Sequence, residues 1–141
     1  MGSATMISLR DIRPAHIQAG LSLNRVEEQE FRIEIRVFRE IGVFLFATLT
    51  MQEQEERAHI GVMGRAEGDV VEDLYELDEE QIVRLVTESR IEHVLYDTAA
   101  MVARQACATL NFSLSVPDMT MNSAISVTVR DSIDLESNEE Q

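Results

Sequence analysis

The chain has 141 residues, with 45% hydrophobic side chains, 5% aromatics and no Trp, so the expected scale is one domain with a core of Ile, Val, Leu, Met and Ala. Its formal net charge is −14, and every one of its 12 basic residues is Arg; this argues against general binding to nucleic-acid phosphates, and the absence of Lys excludes Schiff-base chemistry and a P-loop lysine. Cys107 is the single cysteine, which leaves no intrachain disulfide and no cysteine-cluster metal site; among alanines it reads as a buried structural thiol.

Residues 1–6 read as a flexible N-terminus. Residues 7–23 have Leu9, Ile12, Ile17, Leu21 and Leu23 as apolar positions, and Pro14 removes a backbone donor, so an edge strand with a break or bulge is expected there. Phe31, Ile33, Ile35 and Val37 alternate with Arg32, Glu34 and Arg36, a period of two that puts one set on each face of a strand. Gly42 can take positive φ at the turn that follows. Residues 43–51 (VFLFATLTM) are apolar on both faces and read as an inner strand. Residues 52–57 (QEQEER) read as a polar turn, and residues 58–65 (AHIGVMGR) as a fourth strand weakened at Gly61 and Gly64.

Residues 67–80 hold eight acidic side chains and no basic one, a charged crossover with Val70, Val71, Leu74, Tyr75 and Leu77 as apolar contact points. Asp78 and Gln81 form the pattern of a capping box, which starts a short helix with Ile82, Leu85 and Val86 inward. After a bend at 88–90, a longer helix is expected over 91–109, with Ile91, Leu95, Thr98, Val102 and Ala106 on one stripe. Its small side chains admit close approach by the sheet or by a second subunit. Tyr96, Ala99, Ala103 and Ala106 are the candidate oligomer contacts. Residues 111–116 alternate and stop at Pro117, which biases Val116 away from helix. ISVTV (125–129) offers one more short strand, and residues 132–141 read as a disordered acidic tail, leaving 7–131 as the domain.

Chemistry-bearing patterns are sparse. His16, His59 and His93 fall at no metal-ligand spacing and read as packing or surface residues. No nucleophile elbow or Gly-rich phosphate loop is present, and the acidic crossover lacks the EF-hand pattern. No catalytic, metal or cofactor site is expected, and the chain is not read as an enzyme. No run reaches 18 apolar residues and no secretory signal is visible, so a cytoplasmic location without membrane insertion is expected. Phe44, Phe46, Leu74, Tyr75, Leu77, Met101, Met119 and Met121 supply adaptable apolar contacts for a partner, or else fill a core.

The order of strands, acidic crossover, short helix, long helix and extended strip resembles SecB, the bacterial export chaperone, and the SecB-like chaperones linked to toxin–antitoxin systems. The likeness spans residues 7–121. It is carried by HVLYDTAAMVARQACATLNFSLSVPDMT, in which Tyr96 and the 110–118 strip match, and by RDIRPAHIQA at the first strand. What the resemblance implies is an α+β fold: a four-stranded antiparallel sheet with a short and a long helix packed on one face, assembled as a dimer of dimers. It implies an ATP-independent holdase for non-native polypeptides, with Phe44, Phe46, Leu74, Tyr75 and Leu77 lining a peptide groove. This chain has neutral or apolar residues around 14–18 and near Val62 where SecB carries acidic ones, which puts docking to the export ATPase in doubt. Residues 123–133 are also poor helix formers where SecB continues into a helix. The alternative readings are a dedicated interaction subunit for one partner such as an antitoxin, and a purely structural oligomer.

Overall fold

The alternating segments pair into one sheet because each strand has an apolar row to bury. In the computed structural model, which describes residues 7–38, 41–68 and 76–130, the elements are β1 (Ser8–Leu21), β2 (Glu28–Phe38), β3 (Gly42–Glu53), β4 (Glu56–Glu67), α1 (Glu79–Glu88), α2 (Ile91–Thr109) and β5 (Ser123–Arg130). The sheet order is β1-β4-β3-β2-β5. The first four strands are antiparallel to their neighbours, as expected. β5 is the correction: it pairs in parallel with β2, Phe31 opposite Ser123 through Phe38 opposite Arg130, so the sheet is five-stranded and mixed. A parallel partner needs a long crossover, and here the two helices and the extended strip provide it.

The inner row of the sheet is Phe31, Ile33, Ile35 and Val37 on β2, Val43, Leu45, Ala47, Leu49 and Met51 on β3, and Ala58, Ile60 and Val62 on β4, all buried. α2 lies over β4, β1 and β3. Tyr96, Ala99 and Ala103 are fully buried within this single chain. They were candidate oligomer contacts; their side chains instead close the helix against its own sheet, and Ala106 beside them is half-buried.

Local signals hold at the helix ends. Asp78 Oδ1 accepts from the Gln81 backbone N–H at 2.8 Å, and Gln81 Oε1 accepts from the Asp78 N–H at 3.0 Å. The bend falls at Ser89–Arg90, where Arg90 takes φ 60°. α2 ends in a Schellman turn: Asn111 adopts φ 57°, Phe112 N–H donates to the Cys107 carbonyl (2.8 Å) and Asn111 N–H to that of Ala108 (3.2 Å). β1 carries the expected irregularity, with register shifts between Arg10 and Arg13 and between Pro14 and His16. Gly42 has φ 138°. The polar turn expected over 52–57 is shorter: Glu53 pairs with Glu56, so only Gln54 and Glu55 turn.

Residues 112–117 run beside α2 without joining the sheet. They are tied down from two sides. Tyr96 OH donates to the Pro117 carbonyl at 2.7 Å and Arg104 Nη2 to the same oxygen at 2.9 Å. From the β3–β4 hairpin, Glu56 accepts the Ser113 and Leu114 N–H groups at 2.8 and 2.9 Å, and Glu53 accepts that of Ser115 at 3.1 Å. Each bond meets a backbone group that no strand partner satisfies. Replacing Tyr96 by Phe keeps the ring packed edge-on against Phe31 and removes only the hydroxyl. The expected loss is about 1–2 kcal/mol of unfolding free energy, read by urea denaturation; an unchanged midpoint would show that Arg104 suffices at the Pro117 carbonyl.

Candidate functional site

The face of the sheet turned away from the helices is where polar and aromatic side chains gather. Cross-strand register sets them in rows. One row reads Arg10 (β1), Arg65 (β4), Phe44 (β3), Arg36 (β2) and Thr128 (β5); the next reads Arg13, Met63, Phe46, Glu34 and Ser126. Arg36 Cζ lies 4.4 Å from the Phe46 ring centroid, Arg65 Cζ lies 5.8 Å from that of Phe44, and Phe38 meets Phe44 edge-on at 5.9 Å. Ion pairs link Arg10 to Glu67, Arg36 to Glu34 and Arg57 to Glu28, each at 2.9 Å. Arg65 donates to the Ile41 carbonyl at 3.0 Å and pairs with no carboxylate among the described residues.

The candidate groove does not form as a unit. Phe44 and Phe46 are half-buried on this outer face, whereas Leu77 packs against the core on the helix side. Leu74 and Tyr75 lie outside the described residues. A strand's two-residue period decides the matter: Phe44 and Phe46 share a row opposite to that of Val43, Leu45 and Ala47.

On the helix side, the exposed apolar side chains, apart from Met101, are ones that sequence reasoning did not single out as a surface. Ile17 is 55% and Leu21 72% exposed on the inner row of β1. Val94, Met101 and Leu110 are exposed on and just after α2. Their signal was present in the sequence as apolar spacing, but exposure depends on how far α2 reaches over β1. Among the described residues β1 is hydrogen-bonded on one side only, to β4. Its first half is guarded by Arg10, Asp11, Arg13, Pro14 and two register shifts; from His16 to Leu21 the register with β4 is regular.

His16 and His59 meet edge-on at 5.4 Å, and His59 Nδ1 shares a hydrogen bond with Thr50 Oγ1 at 2.8 Å. Beside them is a cavity of about 120 Å³ lined by Gln18, Ala19, Gly20, Leu21, Arg57 and His59. That is small against the roughly 300–1,000 Å³ of small-molecule sites. Among the described residues no three His, Cys, Asp or Glu side chains gather as a metal ion would require. Cys107 is buried, and burial first, then the Glu56 carboxylate, raise its thiol above the ordinary range, so it stays protonated. Among the described residues no helix is long and apolar enough to cross a membrane.

The class this architecture defines is an α+β domain with a five-stranded mixed sheet, two helices and one long open edge. The chain matches no family model, no curated protein and no solved structure.

Burial chiefly, then repulsion from His16 and Arg57 against a smaller attraction from Glu28, holds His59 below its ordinary value. The unfolded chain therefore takes up more protons as pH falls through the ordinary His range near 6.5, and stability conferred at neutral pH is lost across that window. The denaturation midpoint is expected to fall between pH 7 and pH 5, and His59→Gln to narrow that fall. A variant with the full pH dependence would remove His59 as its source.

Proposed function

We propose that this chain is a SecB-like, ATP-independent chaperone of the cytoplasm: a homo-oligomeric module that holds extended or non-native polypeptide segments and performs no chemistry on them. The observation that carries the reading is the unguarded half of β1. An edge strand presents unpaired backbone donors and acceptors to an incoming extended chain. Here that edge is accompanied by Ile17 and Leu21, which are exposed although they lie on the row that elsewhere forms the core. Added backbone hydrogen bonds give affinity without sequence preference, and alternate side chains of the added segment fall beside these two residues. The order of elements supports the same reading, with four antiparallel strands, two helices and a strip anchored at Pro117.

The test is light scattering of the purified chain with and without a reduced, unfolded client. The expected result is an assembly larger than one chain that takes up the client. Ile17→Glu combined with Leu21→Glu should weaken uptake by at least about tenfold, since each buried aliphatic side chain contributes about 1.5–3 kcal/mol. Both side chains are exposed, so the thermal midpoint should stay nearly unchanged. A monomer that ignores every client overturns the reading. A single stoichiometric partner, with no wider client set, would replace it with a dedicated interaction subunit.

A further inference from the structure

The far edge of the sheet, away from β1, is a second place where a strand lacks a neighbour. Among the described residues β5 is hydrogen-bonded on one side only, to β2. Its register with β2 runs unbroken from Phe31 opposite Ser123 to Phe38 opposite Arg130, so no bulge turns this edge away. Residues 123–129 (SAISVTV) hold no charged side chain and no Pro, the residue types that ordinarily blunt an edge. Ile125, Val127 and Val129 continue the inner row of Ile33, Ile35 and Val37. α1 packs against β5, yet Ile125 and Val127 are only half-buried and Val129 is 45% exposed. The apolar row stops at a strand whose outer side nothing among the described residues pairs with.

The chemistry of this edge selects its neighbour. A net charge of −14 opposes the approach of a second copy over most of the surface, but residues 119–130 contain no carboxylate. The stretch ISVTV (125–129) is also its own antiparallel partner. About a two-fold axis through Val127, normal to the sheet, Ile125 of one copy faces Val129 of the other, Ser126 faces Thr128, and Val127 faces itself. Aliphatic side chains then meet on the helix side and hydroxyls on the outer side. Residues equally far either side of Val127 have the same parity along the strand. Backbone groups that point away from β2 in one copy therefore meet those that point away from it in the other. Shifting the register by two residues sets Val129 against Ser123, or carries Ile125 past the end of the strand at Arg130.

We infer that β5 joins two copies of this chain edge to edge, in an antiparallel register centred on Val127. The contact is isologous, so it closes at two copies rather than growing. It merges two sheets into one, with both helix layers on the same face and a β1 edge left free at each end. The inference rests on the proposed function only for the homo-oligomeric state. Client binding stays with Ile17 and Leu21 at the opposite edge.

Sedimentation equilibrium of the full chain at low salt, without client, tests it. One variant carries Ser126→Glu and Thr128→Glu, and a second carries Ser126→Lys and Thr128→Lys. Each sets like charges opposite one another in the Val127-centred register, on side chains that are exposed at 126 and half-buried at 128. The wild-type chain is expected at the mass of an even number of copies. Either variant alone should halve that mass, with self-association weakened at least about tenfold by the like-charge contacts. An equimolar mixture of the two should restore it, since every Glu then faces a Lys. If one variant folds poorly, the other still reads the loss. Ile17→Glu combined with Leu21→Glu should leave the mass unchanged. A wild-type monomer overturns the inference, and one that still takes up an unfolded client leaves client binding standing. Charged variants that keep the wild-type mass, or that stay apart when mixed, overturn it as well. So does an assembly lost in the Ile17, Leu21 variant but kept in the β5 variants, which would move the contact to β1. A mass that climbs without limit as concentration rises would assign β5 to a neighbour's β1 and overturn it too.

Discussion

How closely α2 can lie against the sheet governs the rest of the structure. The helix meets the apolar rows through Ala99, Ala103 and Cys107, all buried, with Ile91, Leu95 and Tyr96 as the large side chains let into the layer. Small side chains let the helix backbone approach β-branched and aliphatic rows without voids. Because the helix sits low, the Tyr96 hydroxyl reaches the Pro117 carbonyl and the Schellman turn at Asn111 sends the chain back alongside α2. That return delivers residues 123–130 to the free side of β2, where they pair parallel to it.

Charge is sorted by this arrangement. On the hairpin end, Glu53 and Glu56 are directly opposite one another, a repulsive pair that is offset because both carboxylates accept backbone N–H groups of the strip. On the outer face the arginines collect, some paired with glutamates two residues away on the same strand, as Arg36 is with Glu34 and Arg32 with Glu30. Exposed pairs of this kind contribute little to stability. Their placement therefore bears on what the face meets more than on whether the sheet forms.

The two edges of the sheet are treated differently. β5 shields β2, whose inner row is wholly apolar and would otherwise be a long, flat, hydrophobic edge. β1 is left open, with bulges, Pro14 and charges over its first half and an unprotected second half. A chain that guards half an edge and leaves Ile17 and Leu21 outside the helix layer keeps a surface suited to pairing.

Much of the architecture was legible in the chain. The period-two rows of 31–37 and 43–51, the Asp78–Gln81 box, the bend at 88–90, the left-handed Gly42 and the irregularity around Pro14 are consequences of local sterics and local hydrogen bonding, so neighbouring residues suffice to read them. The parallel seat of β5 was not legible, because ISVTV suits any edge and the choice between β1 and β2 is made by where the helix layer ends. Nor was the split of Phe44 and Phe46 from Leu77, or the burial of Tyr96, Ala99 and Ala103 in their own chain. Local sequence thus determined which segments are strands and helices and which residues of each share a face. Tertiary packing alone decided which face met which, since burial depends on distant surfaces that no short window of sequence contains.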